Sequence, residues 1–496
     1  MAENDTLTSK TFLGMFWMLS GKGSQAILQF IVMVVLARLL TPSDFGIVNA
    51  ATVVITFTTV FSMVGVGPAM IQRPELELSH VRTGFTLTIL LSLLFASGLY
   101  FGSNIIASFF HINQLQLVLK VMSVIFLLKG LSVVSESLIQ RKLKFRVFAS
   151  VEVISYTVYG GVGITCAFLG VDYWSLVYAQ ISQNAVKTIL LISSERHNMK
   201  PQLDWASAKE LLFFGGGFTI ARLSNQFALQ ADNLVVGRWL GSNALGFYGR
   251  AYQLMIMPTN LFGQVMDKVL FPAMAKIQDK QDKLTKSFRV GITSVAFFAI
   301  PLGILMCLLS REIVLLLFGK KWLDLVPALQ VLSLGLVFRT GYKISDSLAR
   351  ATGAVYRRAW RQIIYALAVF IGAWLGHFAG IFGVSLGVLG AIILNYILMT
   401  NLSMKFIDLS FLDIVKTHVP GIILGFFALL SGIFIQWVNS LLTLSPVVVI
   451  ILTGLLFLLL LLILTRLNIE RVLGKDVLWI KEHVLHQVKS KLKKDE

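Results

Sequence analysis

The chain has 496 residues, 56% of them hydrophobic and only 14% charged, with a formal net charge of +18. Soluble domains carry about 25% charged residues, so this composition excludes a water-soluble globular protein. The basic excess does not indicate nucleic acid, because it lies mostly in short loops between apolar stretches, as membrane topology demands.

In chain order, the opening "MAENDTLTSK" lacks the basic start and small-residue cleavage site of a signal peptide, so the first apolar span is expected to be retained. Apolar stretches of about 20 residues, enough to cross a hydrocarbon core about 30 Å thick, then recur to the end. They predict fourteen spans. Six lie near residues 12–36, 45–70, 83–110, 115–138, 147–169 and 173–193. Six more lie near 211–236, 247–271, 290–318, 325–350, 359–380 and 382–404, and two follow near 412–437 and 446–465. The alternating ten-residue segments of a β-barrel are absent. Basic connections such as "RKLKFR" (Arg141–Arg146), "KIQDKQDKLTKSFR" (Lys276–Arg289) and "RRAWR" (Arg357–Arg361) place both termini in the cytoplasm. The tail 466–496 reads as a basic amphipathic helix on the inner membrane face. Cys166 and Cys307 fall inside spans and form no disulfide framework.

The chain repeats itself. "VVLARLLTPSDFGIVNAA" (Val34–Ala51) recurs as "LVVGRWLGSNALGFYGRA" (Leu234–Ala251), matching Arg38 with Arg238, Leu40 with Leu240 and Gly46 with Gly246. The offset of 200 later becomes 210, where "KGLSVVSESL" (Lys129–Leu138) aligns with "RTGYKISDSL" (Arg339–Leu348). Each copy holds six spans, an even number, so both enter the membrane from the same side. The expected architecture is an all-α membrane protein with two six-helix lobes, 1–193 and 211–406, related by a pseudo-twofold along the membrane normal. A cytoplasmic linker, 194–210, joins them, and two additional helices occupy 407–465.

Charges deep in spans are costly and mark functional candidates. Lys22 and Arg222 lie near the middle of the first and seventh spans. Each begins a polar stripe: Lys22, Gln25 and Gln29 on one, Arg222, Asn225, Gln226 and Asn233 on the other. Such stripes should face protein or a wet cavity, since lipid cannot satisfy them. Lys129 and Glu136 share a face of the fourth span, and Arg339 and Asp346 repeat them in the tenth, with Lys343 added. The four matched bases Lys22, Arg222, Lys129 and Arg339 would make a cavity attractive to anions, phosphates especially. For Glu136 and Asp346 two readings stand side by side: structural ion pairs with bases on neighbouring helices, or gating groups. Asp232, near the outer end of the seventh span, is read as a counterion to Arg222 or Arg238, or as a ligand for a coupling cation. Arg38 and Arg238 are expected to snorkel to the interface. Gly46 and Gly246 are expected to allow close packing or a tight turn. Pro258 and Pro301 should kink their spans.

No phosphate-binding loop, HExxH or GxSxG arrangement occurs, and the seven histidines show no metal-ligand spacing. The external connections are too short for a catalytic domain. The pattern is that of a transporter, with no cofactor, and with a proton or sodium ion as the alternatives for coupling.

"ADNLVVGRWLGSNALGFYGRAYQLMIMPTNLFGQVMDKVLFPAMAKIQD" (Ala231–Asp279) resembles the second-lobe signature of the Wzx-type polysaccharide flippases, members of the multidrug/oligosaccharidyl-lipid/polysaccharide exporter superfamily. "LARLLTPSDFGIVNAA" resembles its first-lobe counterpart, and "LLLFGKKWLDLVPALQVLSL" (Leu315–Leu334) another recurrent stretch. The resemblance covers essentially the whole chain. It implies V-shaped lobes around a basic cavity in the bacterial inner membrane, and an undecaprenyl-diphosphate-linked oligosaccharide as substrate. It also implies glycan polymerase and export machinery as partners beside the membrane lipids. Bases on the first helix of each lobe carry the family role onto Lys22 and Arg222; Lys129 and Arg339 follow from the internal symmetry. Two rivals remain at this point: a multidrug exporter of the same superfamily, which would want an acidic cavity, and a membrane glycan polymerase, which would want a large external loop.

Overall fold

The structure, a computed structural model, describes residues 23–63, 65–265 and 270–466. Among these residues there are helices and connecting turns and no strand. The chain divides into two compact units, Met1–Gly246 and Phe247–Glu496.

The first unit begins with α1 (Gly23–Leu39) and α2 (Pro42–Met63). A reciprocal cap starts α2. The Thr41 N–H and hydroxyl both donate to the Asp44 carboxylate, at 2.8 and 2.6 Å, while the Asp44 N–H donates to Thr41 Oγ1 at 3.3 Å. Pro42 supplies a first helical residue that needs no hydrogen-bond partner. Gly65, at φ 61°, turns the chain into the short α3 (Val66–Gln72). Then come α4 (Leu78–Phe110), α5 (Asn113–Met122) and α6 (Val124–Arg141). The helices α7 (Phe145–Phe168), α8 (Trp174–Ser194) and α9 (Trp205–Val235) complete the set, and a π-helical turn, Val236–Leu240, leads into α10 (Gly241–Val265). Val66, Met70, Phe85, Val134 and Leu211 form a core joining α3, α4, α6 and α9.

The second unit continues along α10, which runs through Pro258 without a break, and short α11 (Phe271–Lys276) opens on Pro272. Next are α12 (Gln281–Leu308), continuous through Pro301, and α13 (Ser310–Leu317). A 3-10 turn, Lys320–Leu325, precedes α14 (Val326–Leu334) and α15 (Leu336–Ala351). The remaining elements are α16 (Val355–Gly376), α17 (Gly380–Ser403), α18 (Phe411–Thr417), α19 (Val419–Leu442) and α20 (Pro446–Arg466). Phe288, Ile292, Ile344 and Leu348 make its largest core.

Among the described residues eight segments are long and apolar enough to cross a membrane, and nine if a bent pair is one span. That bent pair contains the expected tenth span: α14 and α15 meet at 41° around Gly335. One of the eight, Val355–Ser403, is a hairpin of α16 and α17. Glycines let its arms touch, because a methyl group on Gly387 would overlap the Gly372 carbonyl and one on Gly383 that of Gly376. The helices α8, α9 and α10 are 21, 31 and 25 residues long and less apolar. Their polar residues include those that build the site.

Candidate functional site

In the first unit the turn of α6 that carries Lys129 is clamped between two helices. Gly130 lies so close to α4 that a side chain there would overlap Ser92. Thr88 Oγ1 of α4 donates to the Gly130 carbonyl at 3.2 Å, and Thr188 Oγ1 of α8 donates to the Leu128 carbonyl at 2.9 Å. Lys129 is half-buried and lines a cavity of about 450 Å³ together with Glu136 and Lys187. That volume lies within the range of small-ligand sites.

Lys187 comes from α8 and sits between two carboxylates, at 2.6 Å from Glu152 of α7 and 3.7 Å from Glu136 of α6. The Phe148 ring lies 5.8 Å from its ammonium. Gln140 Nε2 donates to Glu136 Oε1 at 3.4 Å, one turn along α6. Sequence reasoning singled out Glu136 but neither Lys187 nor Glu152. The available signal was one charged residue in each of two consecutive spans, with opposite signs.

The matched positions in the second unit are built differently. Arg339 is only 4% exposed. Its guanidinium donates to the hydroxyls of Tyr365, at 2.5 Å, and Tyr252, at 3.1 Å, and the Tyr342 and Tyr365 rings each lie 5.8 Å from it. Asp346 is ion-paired to Arg350 on its own helix, at 3.2 Å, and to Arg358 of α16. Both acids thus pair with a base on a neighbouring helix. Lys343 lies against Gly263 of α10, where any side chain would collide with its ammonium.

Lys22 lies outside the described residues, as do the side chains of Arg222 and Asn225. Gln25 is half-buried and Gln29 exposed on α1, and Gln226 is half-buried on α9. Asp232 is 2% exposed, and its carboxylate accepts the Asn233 N–H at 2.8 Å. Beside it Asn49 Nδ2 of α2 donates to Asn233 Oδ1 at 3.5 Å, and Asn233 Nδ2 to Gln230 Oε1 at 3.0 Å. Arg38 is exposed. Arg238 differs from a side chain that only snorkels: its guanidinium donates to the His111 ring and stacks over Phe109, with 5.2 Å to the ring centre. The residues 467–496, expected as an amphipathic tail, lie outside the described set.

The connection after α6 and the one after α8 are tied together by Glu195, which bridges Lys142 at 2.5 Å and Lys144 at 2.7 Å. Burial pushes its carboxyl up, but the two ammonium groups outweigh that and hold it below the ordinary 4.5. His197, two residues on, takes part in a 3.1 Å hydrogen bond between its Nδ1 and Ser135 Oγ, and burial holds its ring below the ordinary 6.5. Among the described residues no three His, Cys, Asp or Glu side chains converge on a metal position.

Among the described residues, an all-helical arrangement with eight or nine segments long and apolar enough to cross a membrane defines a multi-pass membrane protein. Its fold is similar to that of "Lipid II flippase MurJ, inward closed conformation", with TM-score 0.71 and 17% identity over 91% of this chain and 99% of that one. It is also similar to a multidrug resistance MATE family transporter of the MOP superfamily, with TM-score 0.59 and 15% identity over 79% of this chain and 95% of that one. In sequence, residues 35–327 match the family described as "Polysaccharide biosynthesis protein", and the chain belongs to that family. It is 28% identical to "Lipopolysaccharide biosynthesis protein WzxC" of Escherichia coli, over 79% of this chain and 80% of the relative. It is 25% identical to "Teichuronic acid biosynthesis protein TuaB" of Bacillus subtilis, over 81% and 86%, and 24% identical to "Succinoglycan biosynthesis transport protein ExoT" of Rhizobium meliloti, over 71% of each.

Proposed function

We propose that the protein is a flippase of the bacterial inner membrane, with both termini cytoplasmic. It turns an undecaprenyl-diphosphate-linked oligosaccharide from the inner to the outer leaflet by alternating access, supplying exopolysaccharide, O-antigen or capsule synthesis. The observation that carries this reading is a polar, charge-lined cavity among membrane helices in a chain of the polysaccharide biosynthesis family. The relatives named for glycan synthesis share 24–28% of residues with this chain; the likeness to the multidrug transporter is one of fold. The role is transport, and chemistry on the glycan belongs to partner enzymes, a polymerase and export machinery among them.

In this reading two six-helix lobes, 1–193 and 211–406, rock about the substrate. Lys22 and Arg222 engage the diphosphate, with Lys129 and Arg339 assisting, while Gln25, Gln29, Asn225 and Gln226 keep the path wet. Polyprenyl stays in lipid. A proton or sodium gradient, or substrate supply and consumption, drives the cycle. The test is the pair Lys22→Ala with Arg222→Ala, assayed for surface glycan in cells and for leaflet exchange in proteoliposomes. Translocation should be lost while the purified protein stays monodisperse. Wild-type surface glycan would overturn the assignment of these cations.

A further inference from the structure

Within that reading, we propose that the cavity of the first unit is a saccharide subsite, holding the sugar nearest the diphosphate. The observation is one of hydrogen-bond capacity. Thr59, Ser132, Ser137 and Thr188 all line the cavity. Each has already given its hydroxyl hydrogen to a backbone carbonyl: Thr59 to Ile55 at 2.6 Å, Ser132 to Lys129 at 3.2 Å, Ser137 to Val133 at 2.7 Å and Thr188 to Leu128 at 2.9 Å. A hydroxyl oxygen that has donated has only lone pairs left to offer. Asn184, also on the wall, spends a donor on the Gln180 carbonyl at 2.7 Å. Glu136 adds a carboxylate, an acceptor group whose only close donors among the described residues are Gln140 Nε2 at 3.4 Å and the Lys187 ammonium at 3.7 Å.

A wall with this surplus of acceptors matches a ligand rich in O–H donors. A diphosphate bears acceptor oxygens alone and finds complementarity here only at the lysines. A sugar ring presents an O–H donor at every hydroxyl beside its acceptor lone pairs, so unlike a diphosphate it can use both the acceptors of the wall and its two ammonium groups, Lys129 and Lys187. Lys129 and Glu136 are seven residues apart on α6, a rise of about 10.5 Å. A ring lying between them keeps its anomeric, diphosphate-bearing end toward Lys129 and its hydroxyls toward Glu136. The site is then a reader of sugar identity that shares Lys129 with the cations that hold the diphosphate.

The test uses the full-length protein in detergent and free ligands without lipid: glucose, galactose, N-acetylglucosamine, glucuronic acid and, separately, sodium pyrophosphate. Binding is read for the wild type, Glu136→Gln and Thr59→Val by ligand-observed NMR: saturation transfer to the sugar protons, and 31P line broadening for pyrophosphate, which has no protons to observe. Glu136→Gln leaves Lys187 its 2.6 Å bridge to Glu152, and Thr59→Val keeps the shape of the side chain, so neither variant depends on the other for a folded sample. At least one saccharide should bind the wild type and bind each variant about tenfold more weakly, the scale of one lost hydrogen bond, with any pyrophosphate signal unchanged. No saccharide signal, equal signals in all three proteins, or a pyrophosphate signal lost in the variants overturns the subsite. Leaflet exchange of the lipid-linked substrate by the wild type is measured in parallel. Exchange without a saccharide response removes the subsite alone, and a saccharide response without exchange removes the flippase reading alone.

Discussion

Gly46 and Gly246, equivalent positions of the sequence repeat, make equivalent contacts within the first unit. A methyl group on Gly46 would overlap the Ser242 carbonyl oxygen, and one on Gly246 would overlap the Pro42 carbonyl oxygen. Pro42 and Ser242 are themselves 200 residues apart, so the two copies of the motif clasp each other reciprocally, with Ser43 Oγ and Ser242 Oγ 3.2 Å apart. Overpacking a close contact costs about 1–3 kcal/mol. Gly46→Ala or Gly246→Ala should therefore disfavour this arrangement. Ser43→Cys with Ser242→Cys should form a disulfide under mild oxidation, and adding Gly46→Ala should reduce its yield, read on a non-reducing gel.

The two carboxylates on Lys187 are not equivalent. Glu152 is in direct contact, and Glu136 is 1.1 Å further away, from 3.7 and 2.6 Å. Glu152→Gln should destabilise the protein by about 1–3 kcal/mol, the range for a charged hydrogen bond and its unpaired remainder, and Glu136→Gln by less. Thermal unfolding of the purified variants orders them. The reverse order would mean that Glu136 is the main counterion.

Arg339 is a buried cation whose partners include the hydroxyls of Tyr365 and Tyr252 and the rings of Tyr342 and Tyr365. Tyr365→Phe removes one acceptor from a guanidinium that is 4% exposed and should cost about 1.5–3 kcal/mol. Arg339→Lys should not restore stability, because an ammonium cannot reach Tyr365 and Tyr252 with one planar fork. A Lys variant that melts with the wild type would contradict the cage.

The Glu195 clip to Lys142 and Lys144 should be sensitive to acid. Glu195 titrates below its ordinary 4.5 in the folded chain, so its contribution is present above that value and is lost as pH falls through the folded value. His197 titrates below its ordinary 6.5, so the unfolded chain takes up a proton first and stability begins to fall below that pH. Unfolding temperatures measured from pH 7 to pH 4 should decline in two stages. His197→Gln should flatten the first and Glu195→Gln the second. At neutral pH, Glu195→Gln should cost about 1 kcal/mol, since both lysines are about half exposed.

Much of the architecture was legible because lipid imposes it. A backbone in hydrocarbon must satisfy itself, so long apolar stretches become helices, and α4, α12, α19 and α20 lie where hydropathy predicted spans. The matched charges were legible too, because intramembrane ions are rare enough to stand out. The expectation that Glu136 and Asp346 pair with bases on neighbouring helices agrees with Lys187 and Arg358. Which bases they meet was not legible, since that depends on how α8 and α16 rotate against α6 and α15. The partner of Arg238 was not legible for the same reason: His111 is 127 residues away in sequence and reaches it because α4 ends beside the π-helical turn.

Sequence by itself determined that this chain lives in a membrane, repeats itself at an offset of 200 and later 210 residues, and carries Lys129, Glu136, Arg339 and Asp346 at matched places of that repeat. Helix periodicity and the cost of charge in lipid are local properties, readable along one strand of text. Only the tertiary structure decided that the matched bases differ, one lining a polar cavity and the other enclosed by tyrosines. Burial and hydrogen-bond partnership arise between helices far apart in the chain, where packing, and not residue type, sets what each charge can touch.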